Sequence, residues 1–509
     1  MIRSALALAC LALALDAQDI ALESEPVRWR LSGESFSSDV GRLGLVGLHV
    51  DVLDRVAALP GVFFGLGGYG AASGSRGGLF VGGVTAGWRH EFADDWRVEV
   101  GLFGGGGGGG GNAEFDGLFL RPFVALERRL GLFGLRVEGA HVNTPDGEIE
   151  DTHLALGLTI PAELLEARHS KRTSIIPERA VVRRTIRARA MAQRLDPSSD
   201  SRRRDGTQLD GIELLGIGVD YVLGDYFFVP VEAYGAVGGG VDGFAMGLAG
   251  LGASLPLGSE RVRLELKALA GAGGGGDVDT GGGFGWRTSV GLHIQLASAW
   301  GFAVEGGWME YPDGSFETRT LGAGIERRLT GPELALDYPR SRLLEEGLSS
   351  DDIEVGRTRV SLQHKFYSIS GDARKKDGTE YESSIALLGV AIEEPITDWF
   401  ALTGRAFGPW SGNIGGYAEG FFGTKFSTRP LDDWRHVVFA VGEVGAGGGG
   451  GADVGSGLLF QIGAGYRYEW SERASVSLEI AHMEADQGTF RGEAFTLGLI
   501  WNLMQPRYR

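Results

Sequence analysis

Along most of this chain apolar and polar side chains alternate one by one. From Leu458 to Trp470, the residues Leu458, Phe460, Ile462, Ala464, Tyr466, Tyr468 and Trp470 share one face, and Leu459, Gln461, Gly463, Gly465, Arg467 and Glu469 share the other. Phe495, Leu497, Leu499, Trp501 and Leu503 alternate with Thr496, Gly498, Ile500 and Asn502. Val262, Leu264 and Leu266 alternate with Arg263, Glu265 and Lys267, and Phe80, Val84, Trp88 and Phe92 with Val81, Thr85, Arg89 and Glu91. A period of two puts successive side chains on opposite faces of a strand, so the pattern predicts an all-β protein of antiparallel strands. Eight strands are expected in the first third, beginning near Val27, Leu43, Val62, Leu79, Trp96, Leu118, Phe133 and His153.

The pattern repeats three times. Glycine runs recur at Gly104–Gly111, Gly273–Gly276 and Gly447–Gly451. Later in each copy Val137-Glu138-Gly139-Ala140-His141 matches Val304-Glu305-Gly306-Gly307-Trp308 and Leu478-Glu479-Ile480-Ala481-His482. Turns at Pro145-Asp146-Gly147, Pro312-Asp313-Gly314 and Asp486-Gln487-Gly488 follow, then final strands with Gly157, Gly322 and Gly498 in equivalent places. Arg203-Arg204-Asp205-Gly206-Thr207 matches Lys375-Lys376-Asp377-Gly378-Thr379, and the first copy is shorter there, at Ser37 to Gly41. Such self-similarity marks tandem units. The division expected is repeat 1 over 18–160, a linker over 161–183 with a short helix at Ala162 to His169, repeat 2 over 184–329, a linker over 330–356, and repeat 3 over 357–509. The alternative is one merged barrel of about 24 strands, with the linkers as turns.

Which face meets which medium decides the class. Large aromatics lie on the apolar face and charges on the other. A soluble barrel puts its apolar side chains inside; a membrane barrel turns them to lipid and fills its lumen with polar groups. Glu138, Glu305 and Glu479 recur on the polar face, with Arg121 and Arg287 corresponding in two copies and Gln461 in the third. These are the lumen-facing charge candidates, expected to pair because a buried charge is costly alone. Trp96, Trp300, Trp399, Trp434 and Trp470 sit beside tight turns such as Ala93-Asp94-Asp95, Leu257-Gly258-Ser259 and Leu431-Asp432-Asp433, as indoles do at a membrane–water boundary. Strand parity puts the termini and these turns at one end, and the glycine runs and Asp-Gly turns at the other. The glycines are expected to relieve crowding in narrow barrels; the alternative is a ligand cleft or pore mouth.

Composition narrows this further. The chain has 509 residues with 87 Gly but 16 Pro and 43% hydrophobic residues, which excludes a collagen-like or disordered chain. Arg3, the apolar run Ala5 to Leu15 and the small Ala17 form an export signal over 1–17, too short to span a bilayer. The one Cys, Cys10, lies inside that run, so the mature chain has no thiol for a disulfide, a nucleophile or a metal site. A net charge of −18 argues against nucleic acid as a partner.

The last strand, Thr496-Leu497-Gly498-Leu499-Ile500-Trp501-Asn502-Leu503, resembles the closing-strand signal of bacterial outer-membrane barrels, with Thr496, Gly498, Trp501 and Leu503 in its polar, Gly and apolar slots. It departs from that signal in the tail Met504 to Arg509. The resemblance is to the broad class of small eight-stranded outer-membrane barrels of Gram-negative bacteria. It implies an outer-membrane location, lipid as surroundings and the barrel-assembly machinery as partner during insertion.

No cofactor, metal or catalytic site is expected. The glycine runs lack the Lys-Ser/Thr of a phosphate loop. Asp277-Val278-Asp279-Thr280-Gly281 faintly resembles a calcium loop but lacks its distant Glu. His141 and His482 correspond, with Trp308 in the second copy, while Ser475 and Ser477 fall on the opposite face from His482. The functions these residues allow are a structural, adhesive or small-molecule passage role in the outer membrane, with the small molecule unknown. Behind it stand an exported soluble β-protein binding a small ligand, and a lipid-modifying barrel enzyme.

Overall fold

The computed structural model describes residues 19–508 except 39–40, 54–58, 111–116, 146, 148, 171–180, 335–352, 382–384 and 429–434. The described residues form 24 strands. The first eight are β1 (Asp19–Ser38), β2 (Gly41–Leu53), β3 (Val62–Gly74), β4 (Phe80–Ala93), β5 (Trp96–Gly108), β6 (Leu118–Leu130), β7 (Phe133–Asn143) and β8 (Glu150–Ser170). The second eight are β9 (Val181–Pro197), β10 (Ile212–Leu223), β11 (Phe227–Ala236), β12 (Ala245–Ser259), β13 (Val262–Gly274), β14 (Phe284–Gln295), β15 (Trp300–Glu310) and β16 (Glu317–Leu334). The third eight are β17 (Ile353–Ile369), β18 (Ile385–Pro395), β19 (Phe400–Ser411), β20 (Ala418–Ser427), β21 (His436–Gly448), β22 (Leu458–Glu469), β23 (Ala474–Ala485) and β24 (Arg491–Tyr508).

Each set closes on itself as an antiparallel barrel: β1 pairs with β8, β9 with β16, and β17 with β24. These closures set aside the merged 24-strand barrel. The strands of the first copy start within a few residues of the expected points, except β1, which begins at Asp19.

The closing strands run longer than expected. β8 continues through the charged segment to Ser170, paired with β1 as far as Asp19, so Ala162 to His169 is strand rather than helix. The extended partner β1 supplies backbone hydrogen bonds that the charged composition does not reveal. Likewise β16 reaches Leu334 and β24 reaches Tyr508, which accounts for most of the tail after Leu503. The export signal over 1–17, Trp434 and Leu431-Asp432-Asp433 lie outside the described residues.

The three barrels form a ring. Strand β3 of the first barrel packs against β13 of the second, β11 of the second against β21 of the third, and β19 of the third against β5 of the first. In each seam the third strand of one barrel meets the fifth strand of the next, a head-to-tail contact that closes after three steps. The long strands β8, β16 and β24 also touch one another.

Candidate functional site

The barrels are inside-out relative to a soluble protein. Leu154 and Leu156 on the exterior are 72% and 66% exposed, whereas Arg121 and Arg287 inside are 0% exposed. Phe460, Ile462 and Tyr466 lie outside, and Gln461 and Arg467 are buried. Every predicted lumen charge, Glu138, Glu305, Glu479, Arg121 and Arg287, is buried in its lumen. Thr496 and Gly498 face inward, and Trp501 and Leu503 outward, on the strand that closes the third barrel against β17. Trp399 and Trp470 are exposed at the tight-turn end, and Trp96 and Trp300 stack with the guanidinium groups of Arg128 and Arg327.

A charge inside a barrel must find a partner, and each lumen answers this with its own network. In the first barrel Arg121 joins Glu138 and Glu34, the latter at 2.6 Å, and Arg136 reaches Glu138 at 2.7 Å. Arg28 holds Asp51 at 2.7 Å and also binds Glu99. In the second, Arg287 binds Glu232 and lies 3.3 Å from Glu305, while Lys267 bridges Glu232 at 2.8 Å and Glu305 at 2.5 Å. In the third, Glu479 pairs with Arg405 at 2.7 Å. Arg405 comes from β19, not from the β22 position held by Gln461, and it also grips Glu443 at 2.9 Å. The only signal for Arg405 in the sequence is its inward parity on β19, and parity does not say which distant strand an inward Arg faces.

The ion pairs occupy the half of each lumen toward the tight turns, in the first barrel packed against Leu53, Phe63 and Phe123. The other half, toward the glycine runs, is filled by apolar clusters. Phe36, Tyr69, Phe103 and Phe119 fill the first barrel, Leu195, Phe244, Met246 and Tyr311 the second, and Tyr367, Ile414, Tyr417 and Phe490 the third. At the boundary in the third barrel Tyr417 and Tyr367 donate to Glu419 at 2.7 and 2.9 Å, and Lys365 reaches it at 2.7 Å. On the inward faces the glycines relieve crowding, as expected. The wall is heavily charged, and interior glycines clear room for large rings: a Cβ at Gly101 or Gly87 would lie 2.6 Å from Phe123 or Phe63 respectively.

The glycine runs serve the seams. A Cβ at Gly274 would stand 2.6 Å from the Gly78 nitrogen, one at Gly243 2.7 Å from the Gly449 nitrogen, and one at Gly416 2.9 Å from the Gly109 nitrogen. Each pair joins two different barrels, so backbone meets backbone in all three seams. These runs thus bring main chains together between barrels. Polar latches reinforce them. Arg204 donates to the Gly77 carbonyl of the first barrel at 2.8 Å, and its counterpart Lys376 pairs with Asp242 of the second at 2.6 Å. At the tight-turn end Arg473 meets Glu166 at 3.1 Å and Glu25 at 3.5 Å.

The weighed chemistry does not assemble. Asp279 accepts the Ser315 N–H at 3.0 Å and Asp453 that of Thr489 at 3.0 Å, so these acids pin turns. No group of three or more His, Cys, Asp or Glu suited to a metal occurs among the described residues. His141 and His482 sit on the exterior, bonded to Thr152 and Glu493, while Ser475 and Ser477 are buried in the lumen.

Closed barrels that hydrogen-bond all their strands, turn apolar side chains outward and seal charge inside meet the demands of a bilayer. This defines a transmembrane β-barrel protein of the outer-membrane type. No family model and no curated relative matches the chain. Among solved structures, the chain is similar to outer membrane protein OpdK of Pseudomonas aeruginosa at 9% identity, covering 95% of this chain and 99% of that one with a TM-score of 0.24. It is also similar to OccAB3 of Acinetobacter baumannii, at 11% identity, 94% and 99% coverage and a TM-score of 0.23. A third is OccK2 (OpdF) of P. aeruginosa, solved with glucuronate, at 9% identity, 96% and 100% coverage and a TM-score of 0.23. At such scores the chains do not superpose as wholes, and neither architecture nor ligand is carried over.

Proposed function

We propose that this chain is a non-conducting outer-membrane platform, a ring of three barrels that holds its glycine-rich end at the cell surface in a structural or adhesive role. The observation that carries the reading is the double filling of each lumen, ion-paired in one half and apolar in the other. A hydrated solute entering any of them would have to break both layers. Lipid surrounds the outward apolar belt, and the strand with Thr496, Gly498, Trp501 and Leu503 is the part read by the assembly machinery. The three barrels, β1–β8, β9–β16 and β17–β24, are one ancestral barrel in triplicate, exported by the segment 1–17.

Planar-bilayer recording of the purified full chain tests this. Silence is expected, and reproducible stepwise conductance would overturn it. Passage of small molecules is the second reading. Its one supporting observation is a small polar cavity within the third barrel, bordered by Arg359, Lys425 and Arg405.

A further inference from the structure

We propose that this cavity in the third barrel is a binding site for a single monatomic anion of halide size. The inference stands apart from the conductance question, because a blind site binds without conducting.

The site exists because the third copy departs from the other two. Strand pairing makes Arg28, Arg187 and Arg359 equivalent, facing Asp51, Asp220 and Glu393. Two residues further on, the first and second barrels carry Arg30 and Arg189, whereas the third has Ser361. Opposite, the place of Arg136 in the first barrel is taken by Ser477. Relative to the first barrel two long side chains are thus replaced by hydroxymethyl groups; relative to the second, which has Ala303 in the place of Ser477, the loss is that of Arg189 alone. The hole offers ≈ 10 Å³ to the centre of a water-sized occupant, room for one atom-sized guest and too little for a polyatomic anion.

Its walls select for negative charge. Arg359, Arg405 and Lys425 border it, against one acid, Glu393. That carboxylate serves three cations: it binds Arg359, lies 2.8 Å from Lys425 and 3.4 Å from Arg467. The carboxylates that offset Arg405, Glu443 and Glu479, are not among the cavity's bordering residues. Among the bordering residues cations thus outnumber acids three to one. The Arg359 Nε–H is buried without a hydrogen-bond partner, and the Ser361 and Ser477 hydroxyls add further donors beside it. A free N–H donor, a hydroxyl pair and an ammonium that shares Glu393 with two guanidinium groups suit a small anion, which gains most where water is excluded.

The test uses the full chain in detergent micelles. Its melting temperature is measured in sodium chloride, bromide and gluconate at equal ionic strength, gluconate being too large for the hole. A higher melting temperature in both halides is expected. The difference should vanish in Ser361→Arg, which restores the side chain of the other two barrels at that place. Should that variant fail to fold, crystals grown in bromide give an independent readout: an anomalous peak between Arg359 and Lys425 supports the site. Equal melting in all three salts, or bromide crystals with no such peak, would mean that water alone occupies it and would overturn the proposal.

Discussion

The lumens and the seams of this molecule solve the same problem, close packing without water, by opposite means. The lumens use side chains, and the three copies differ freely: Arg121 and Arg287 give way to Gln461, and the third barrel recruits Arg405 instead. The seams use backbone, and the copies agree: Gly78, Gly243 and Gly416 stand at one position of the ring, facing Gly274, Gly448 and Gly108 across it. An ion pair can be rebuilt from another strand as long as charge and volume balance. A contact between two main chains has no side chain to exchange, so every copy keeps glycine.

That contrast predicts that a seam glycine is less replaceable than a buried ion-pair partner. Gly243 has φ +84° as well as the close approach to Gly449. In Gly243→Val, left-handed strain of about 1–3 kcal/mol adds to a clash of main chain against Cβ. The second and third barrels should separate at that seam while each remains folded. An engineered protease site within 335–352 reads this out. The cut wild-type chain is expected to migrate as one species on a native gel, and the cut chain that also carries Gly416→Val, which opens the β19–β5 seam still tying the third barrel to the first, as two. A variant that stays whole would show that the seam tolerates side chains. Gly258, with φ +69° but nothing within 4 Å of its Cβ, is the control: Gly258→Ala should show strain alone and no dissociation.

Inside the lumen, Glu138→Gln leaves Arg121 and Arg136 short of a carboxylate and should cost about 3–5 kcal/mol, because the charges left behind are buried. Denaturant unfolding in micelles measures it. Replacing Arg121 by Gln in the same chain, after the pattern of Gln461, should recover part of the loss. No recovery would mean that the networks are less exchangeable than the comparison of copies implies.

How far the sequence disclosed this arrangement follows the same division. Strand alternation, the triplication and the inward parity of Glu138, Glu305 and Glu479 were legible, because each depends on neighbours in sequence. The partner of Glu479 was not, because strand tilt decides which inward residues meet across a barrel. Nor was the ring: a glycine run states that main chains come close, not which ones. The charged stretch after Pro161 suggested a helix, and pairing with β1 overrode that local preference.

The latches between barrels should matter less than the glycines they flank. Lys376 is 47% exposed in its pair with Asp242, and exposed pairs contribute about 0–1 kcal/mol. Lys376→Ala should leave the cut chain whole at low salt, in contrast to Gly243→Val combined with Gly416→Val. Dissociation by this variant alone would move the weight of the seam from backbone to charge.

The smallest effect belongs to the two loops that carry the latches. Asp205 accepts the Thr207 hydroxyl at 2.6 Å and its N–H at 2.8 Å, and Asp377 does the same with Thr379 at 2.6 and 2.9 Å. These bonds, the side-chain one foremost, hold both carboxyls below the usual aspartate value of 3.8. A depressed folded pKa contributes stability that is full above the unfolded value and is lost as pH falls through the folded one. Loop order, and with it the reach of Arg204 and Lys376 across the seams, should therefore hold at neutral pH and weaken only below the ordinary aspartate range. Carboxyl carbon shifts followed through an acid titration of the intact protein give the midpoints directly. Values at or above 3.8 for both residues would detach the loops from the acid stability of the ring, leaving the glycine contacts to account for the seams alone.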